Sequence, residues 1–193
     1  MDSSRYCYKS KGKTLCLIRS KNIKFKVPKL VLFIAKDLDG SLDKVFNKVS
    51  DTFKSKKIVV RSSASDEDGR ENSSAGEYES VLNIPSNNSK IIAAAIKMVI
   101  ASYKKKRPLL LEDEVIIQEM VQNTIMSGVI FTHDLNTGAP YYVINYDDQS
   151  GLTDTVTSGG GEYANRTLYV HRNSINKLRS ERFTKLLQAV QEL

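Results

Sequence analysis

The residues best suited to chemistry in this chain lie between Val60 and Ile84. Arg61 follows the β-branched run Ile58-Val59-Val60, which has the composition of a buried strand, and it is followed by two small hydroxyl residues, Ser62 and Ser63. Farther on, Ser73, Ser74, Ala75 and Gly76 form a small-residue loop whose backbone N–H groups can come close to an anion. A second strand is expected from about Ser80 to Ile84. A guanidinium on one side and a Ser-Ala-Gly loop on the other make a clamp for a phosphate chain. The competing reading is a β-hairpin whose polar loop is merely solvated, although loops of about fifteen residues are uncommon unless functional or disordered.

Other reactive side chains are sparser. Arg107 closes the basic run Lys104-Lys105-Lys106, which by composition alone is a solvated helix end favoured by the helix dipole. His133 has no second histidine or cysteine at metal-ligand spacing and reads as a turn or solvent-facing residue. Cys7 and Cys16 lack a paired CxxC pattern and read as free thiols of a reducing compartment. The 193 residues carry a formal charge of +7, which suits a polyphosphate, nucleic acid or an acidic membrane surface. Nucleic acid ranks last, because interleaved aromatics and a recognised RNA or DNA motif are missing. No stretch resembles a signal peptide or approaches the length of a membrane span, and a cytoplasmic location is expected.

The elements that must position these residues can be read from periodicity. Ser10 is a candidate N-cap for a short helix through Leu17 and Ile18. A helix is expected from about Ser41 to Phe53, with Leu42, Val45, Phe46 and Val49 on one face, and another from Lys90 to about Tyr103, capped by Ser89 and buried over much of its circumference. Val115 to Val121 is a continuous apolar strand ending in a polar step. Ser127 through Thr132 is a strand entering an Asn-Thr-Gly turn, and Tyr141 to Tyr146 is its return. A helix is expected from about Ser180 with Phe183, Leu186, Leu187 and Val190 on one face. Gly159-Gly160-Gly161 has the composition of a mobile loop.

The segment Val60 to Asn83 resembles the V-R-S-S-A-x-x-E-D and S-x-A-G-Q-Y-E-S/T-x-L-N-V motifs of the N-terminal ATP-grasp domain of the phosphoenolpyruvate synthase and pyruvate phosphate dikinase family. Val60 to Ala64, Glu67-Asp68, Ser73, Ala75-Gly76, Tyr78-Glu79-Ser80 and Leu82-Asn83 match without a gap. Glu77 stands where the family has glutamine, and Ser74 where it often has phenylalanine. A second signature, Ser127 to Gly138, resembles S-G-V-x-F-T-x-D-P-x-T-G, with Leu135 in place of proline. Gly151 to Gly159 is similar to G-L-G-E-x-V-V-x-G, with Thr153 for a glycine and Asp154 for the glutamate.

The resemblance implies an α+β, ATP-grasp-like fold of two subdomains around a nucleotide cleft, residues 1–110 and 111–193, incomplete at the C-terminus. It assigns Lys11, with Lys13 as competitor, together with Arg61 and Arg107, to the phosphates of ATP. The Ser74-Ala75-Gly76 backbone becomes the phosphate lid. Gln118, Glu119, Met120 and Val121 lie at the adenine, and Asp154 at the nucleotide's sugar or the site's electrostatics. ATP and Mg²⁺ are the implied cofactors, with the metal ligands outside this chain. The implied activity is the ATP-binding portion of a phosphotransferase that phosphorylates a histidine on a separate swivelling domain, for transfer to pyruvate or another acceptor. The partners are then the phosphohistidine and acceptor domains of the same protein, without nucleic acid or membrane. On its own the chain is expected not to turn over. The alternatives are a related small-molecule kinase, such as a glutamine-amide kinase of capsule synthesis, and a non-catalytic nucleotide-binding module.

Overall fold

The alternating apolar runs of this sequence become two antiparallel sheets, each with its own core, in a computed structural model that describes residues 10–21, 23–40, 42–65, 78–159 and 166–193. The chain divides after Met120, with Ile23–Phe25 grouped with the later residues.

In the first unit the described elements are helix α1 (Lys11–Arg19), strand β1 (Leu30–Ile34), a 3-10 helix (Ala35–Asp39), helix α2 (Asp43–Phe53), strands β2 (Lys57–Ser63) and β3 (Ser80–Pro85), helix α3 (Ser89–Lys106) and strand β4 (Glu114–Glu119). The strands lie in the order β1-β4-β2-β3, all neighbours antiparallel. Strand side chains alternate between faces, so the sheet sorts its residues in two. One face presents Val31, Ile58, Val60, Val115 and Ile117 to a core shared with Val45, Val49 and Phe53 of α2 and Ile92, Ile96 and Val99 of α3.

The opposite face is ordered by cross-strand register. Ile34, Glu114 and Ser63 form one row, Leu32, Ile116 and Arg61 the next, and Leu30, Gln118 and Val59 a third. Helix α1 lies on this face at Gly12, whose N–H donates to Ser63 Oγ at 3.0 Å. A Cβ at Gly12 would stand 2.6 Å from Leu32 Cδ2 and 3.0 Å from Glu114 Oε2, so a larger residue there would have to push those side-chain ends aside.

Residues 111–120, placed by sequence at the start of the second subdomain, lie in the first unit because β4 is the strand between β1 and β2. The helix expected to be capped by Ser89 is capped by Asn88, whose Oδ1 accepts from Ile91 N at 3.1 Å. Ile91 is exposed, which narrows the buried stripe expected for α3 to Ile92, Ala95, Ile96, Val99, Ile100 and Tyr103.

The second unit holds strands β5 (Ser127–Phe131) and β6 (Tyr141–Asp147), the single turn of helix α4 (Thr155–Ser158), strand β7 (Arg166–His171), a 3-10 helix (Arg172–Lys177) and helix α5 (Glu181–Val190). Its sheet runs β5-β6-β7. Tyr142, Ile144 and Val170 of the sheet pack with Ile175, Phe183 and Leu187. The Asn-Thr-Gly turn forms around Asp134, whose Oδ1 accepts from the amides of Asn136 and Thr137 and from Thr137 Oγ1, and Gly138 supplies a φ of +68°. The folded chain is thus α+β with antiparallel sheets.

Candidate functional site

Charged and hydroxyl groups concentrate where β2 ends and β4 begins. Arg61 is half-buried near the end of β2, opposite Ile116 on one neighbouring strand and Ser80 on the other. Two residues on, Ser63 is fully buried and stands opposite Glu114. The Glu114 carboxylate is itself buried. Its Oε2 accepts from Ser10 Oγ at 2.5 Å and from Ser63 Oγ at 3.4 Å, and its Oε1 lies 3.5 Å from Lys13 Nζ. Ser10 caps α1 by accepting from Lys13 N. Lys11, the first residue of α1, therefore sits between Ser10 and Gly12, two residues tied to the sheet.

A second carboxylate, Asp113, organises the edge beside it. Arg107 stands at the C-cap of α3, and its Nη1 and Nη2 reach Asp113 Oδ2 and Oδ1 at 2.7 and 2.9 Å. The amides of Leu110 and Ser65 donate to the same carboxylate. Burial alone would raise the pKa of Asp113, but the Arg107 fork and these amides outweigh it and lower it to about 2. The guanidinium assigned by sequence to phosphate thus already holds an internal anion in bidentate geometry.

At the other end of β4, Gln118 is buried on the same sheet face as Arg61. Glu119 pairs with Lys56 at 2.5 Å. The amides of Glu119 and Met120 donate to the carbonyls of Lys29 and Lys57, at 2.8 and 3.0 Å, and Met120 Sδ accepts from Asn83 N. Val121 is exposed. Two of the amides in the segment assigned to the adenine are therefore already engaged.

Asp154 is exposed and precedes α4 without capping it. The carboxylate that orders this loop is the buried Asp147, which no sequence pattern had singled out. It accepts from Ser150 Oγ, from the Ser150 and Gln149 amides and from Thr155 Oγ1. These bonds, Ser150 foremost, outweigh burial and hold its pKa well below the usual carboxylate range.

Ser74, Ala75 and Gly76, the expected phosphate lid, lie outside the described residues, as do Glu77, Cys7, Gly160 and Gly161. Cys16 is exposed and unbridged. Among the described residues no group of three or more His, Cys, Asp and Glu side chains could hold a metal ion, and no helix is long and apolar enough to cross a membrane. The structure brings Arg61, Gln118 and the helix bearing Lys11 onto one sheet face. It adds Asp113 and Glu114, which sequence reasoning missed. Their one visible signal was the run of three adjacent acids, Glu112-Asp113-Glu114, just ahead of the apolar Val115-Ile116-Ile117.

The family model described as "Pyruvate phosphate dikinase, AMP/ATP-binding domain" matches residues 18–191. Arg61, Arg107, Gln118 to Val121 and Asp154 fall within the match, whereas Lys11 precedes it. No curated protein matches the sequence.

Proposed function

The chain belongs to the family of the pyruvate phosphate dikinase AMP/ATP-binding domain, and from that premise we propose that its ATP-grasp-like fold binds the phosphates of ATP with Lys11, Arg61 and Arg107. The observation that carries this reading is the shared sheet face. Arg61 and Gln118 stand on β2 and β4 of one surface, and α1 brings Lys11 to that surface through its Gly12 contact. Cations clustered beside a buried strand end are suited to neutralising a phosphate chain, and phosphoryl transfer asks a protein mainly for positioning and charge stabilisation.

In this reading Gln118 to Val121 face the adenine, and residues 74–76 cover the phosphates. With the amides of Glu119 and Met120 already bonded, base recognition falls to the remaining groups of that segment. Asp113 presents the Arg107 guanidinium in a fixed plane, so that Arg107 meets phosphate with its orientation already set. Asp154 is assigned, on the resemblance alone, to the nucleotide's sugar or to the electrostatics of the site. Magnesium enters as Mg-ATP. None of the described residues is assigned to it.

The nucleotide's phosphoryl group is destined, in this proposal, for a histidine on a separate domain and from there for pyruvate or another acceptor. Calorimetric titration of Mg-ATP against the chain tests the first half. Saturable binding that weakens about tenfold or more in Arg61→Ala supports it, since a hydrogen-bonded charge pair is worth roughly 1.5–3 kcal/mol. Equal affinities for the two proteins would remove Arg61 from the site.

A further inference from the structure

We propose that Glu114 is the positioning residue for the phosphate-binding lysine of α1, an inference that rests on the nucleotide reading above. A helix begins with N–H groups that have no partner within the helix. In α1 two of them are relayed through hydroxyls to one buried carboxylate. Lys13 N donates to Ser10 Oγ and Gly12 N to Ser63 Oγ, while both hydroxyls donate onward to Glu114 Oε2.

The direction of that relay depends on the acid. A serine hydroxyl has one proton and two lone pairs. An acceptor that cannot donate takes the proton, and each serine then turns a lone pair to the helix amide. The second carboxylate oxygen meanwhile faces Lys13 Nζ at 3.5 Å. A glutamine of the same size can meet only one of these demands. If its carbonyl faces the serines, its NH₂ faces an ammonium.

The consequence for ligand binding follows from geometry. Lys11 lies between two tethered residues, so its backbone is held against the strand that carries Glu114. The positive end of α1, ordinarily an anion site, already has a carboxylate in it, so the α1 contribution to phosphate binding comes through side chains. Glu114 acts through Lys11 and does not itself touch the nucleotide.

The test compares wild type, Glu114→Gln, Lys11→Met and the double variant in the 193-residue chain, titrated with Mg-ATP and with AMP, which lacks the β- and γ-phosphates. Glu114→Gln is expected to weaken Mg-ATP roughly tenfold and AMP less than about twofold, and to have little further effect once Lys11 is gone. Ser10→Ala, at the half-buried cap, is expected to reproduce a smaller ATP-selective loss and keeps the test open if the buried substitution unfolds the chain. Proportional losses for ATP and AMP, additivity with Lys11→Met, or unchanged ATP affinity in both Glu114→Gln and Ser10→Ala would each overturn the inference alone. Failure of the wild type to bind Mg-ATP would overturn the nucleotide reading and this inference with it.

Discussion

Removing the Arg107 guanidinium leaves the Asp113 carboxylate with only hydroxyl and amide partners. Arg107→Ala is therefore expected to cost about 1.5–3 kcal/mol in chemical denaturation, the usual range for a hydrogen bond to a charged group. The same pair sets an acid sensitivity. The Asp113 carboxyl titrates at about 2 in the folded chain against an ordinary value of 3.8. Its stabilisation is present above about pH 4 and is lost as pH falls toward 2, a change of about 2 kcal/mol. Denaturation curves across that window should show the loss in wild type and less of it in Arg107→Ala. Gly128 is the other residue with no latitude. A Cβ there would lie 2.2 Å from the carbonyl oxygen of Asn145, a backbone atom that cannot swing aside. Gly128→Ala should cost about 1–3 kcal/mol or more, read as faster amide exchange along β5 and β6. The glycine is visible in the sequence, but its cross-strand neighbour is not.

Helix α3 is joined to the ends of two strands by a single phenol. Tyr103 Oη accepts from Ser63 N at 2.7 Å and donates to Glu114 O at 2.6 Å, in a fully buried position. Tyr103→Phe keeps the ring and strands both backbone groups, so a loss of about 1–3 kcal/mol is expected in thermal or urea unfolding. Much at this scale was legible beforehand. The β-branched run at Ile58 and the 3.6-residue stripe of α3 follow from local pattern, and both elements formed. The capping of α3 by Asn88 was harder to foresee, because Asn88 and Ser89 are both good caps, and only the backbone conformation chooses between them. The depth of Tyr103 was hidden for a different reason. It continues a helical stripe that reads as ordinary core, and its hydroxyl acquires a purpose only when β2 and β4 lie side by side.

Across the whole molecule the formal charge of +7 gives phosphate binding a long-range component. Mg-ATP affinity should fall as potassium chloride rises from 50 to about 500 mM, since the screening length shrinks from more than about 10 Å to a few ångströms. Calorimetry across that series checks it. A flat profile would mean that contacts inside the site, and not the surface field, set the affinity. The two cores, one gathered around Val49, Ile96 and Ile117 and the other around Ile144, Phe183 and Leu187, are separate in sequence apart from the short Ile23–Phe25 segment.

The apolar periodicities and the motif residues Arg61 and Gln118 to Val121 are visible in the chain because they depend on neighbours within a few positions, and the α+β class came from the family resemblance that those motifs carry. Only the tertiary structure decided that β4 sits between β1 and β2, that Arg107 is held by Asp113, and that α1 is fastened to the sheet through Glu114. Ser10 and Glu114 are 104 residues apart in the chain, and the hydroxyl finds its carboxylate only because strand pairing closes that distance.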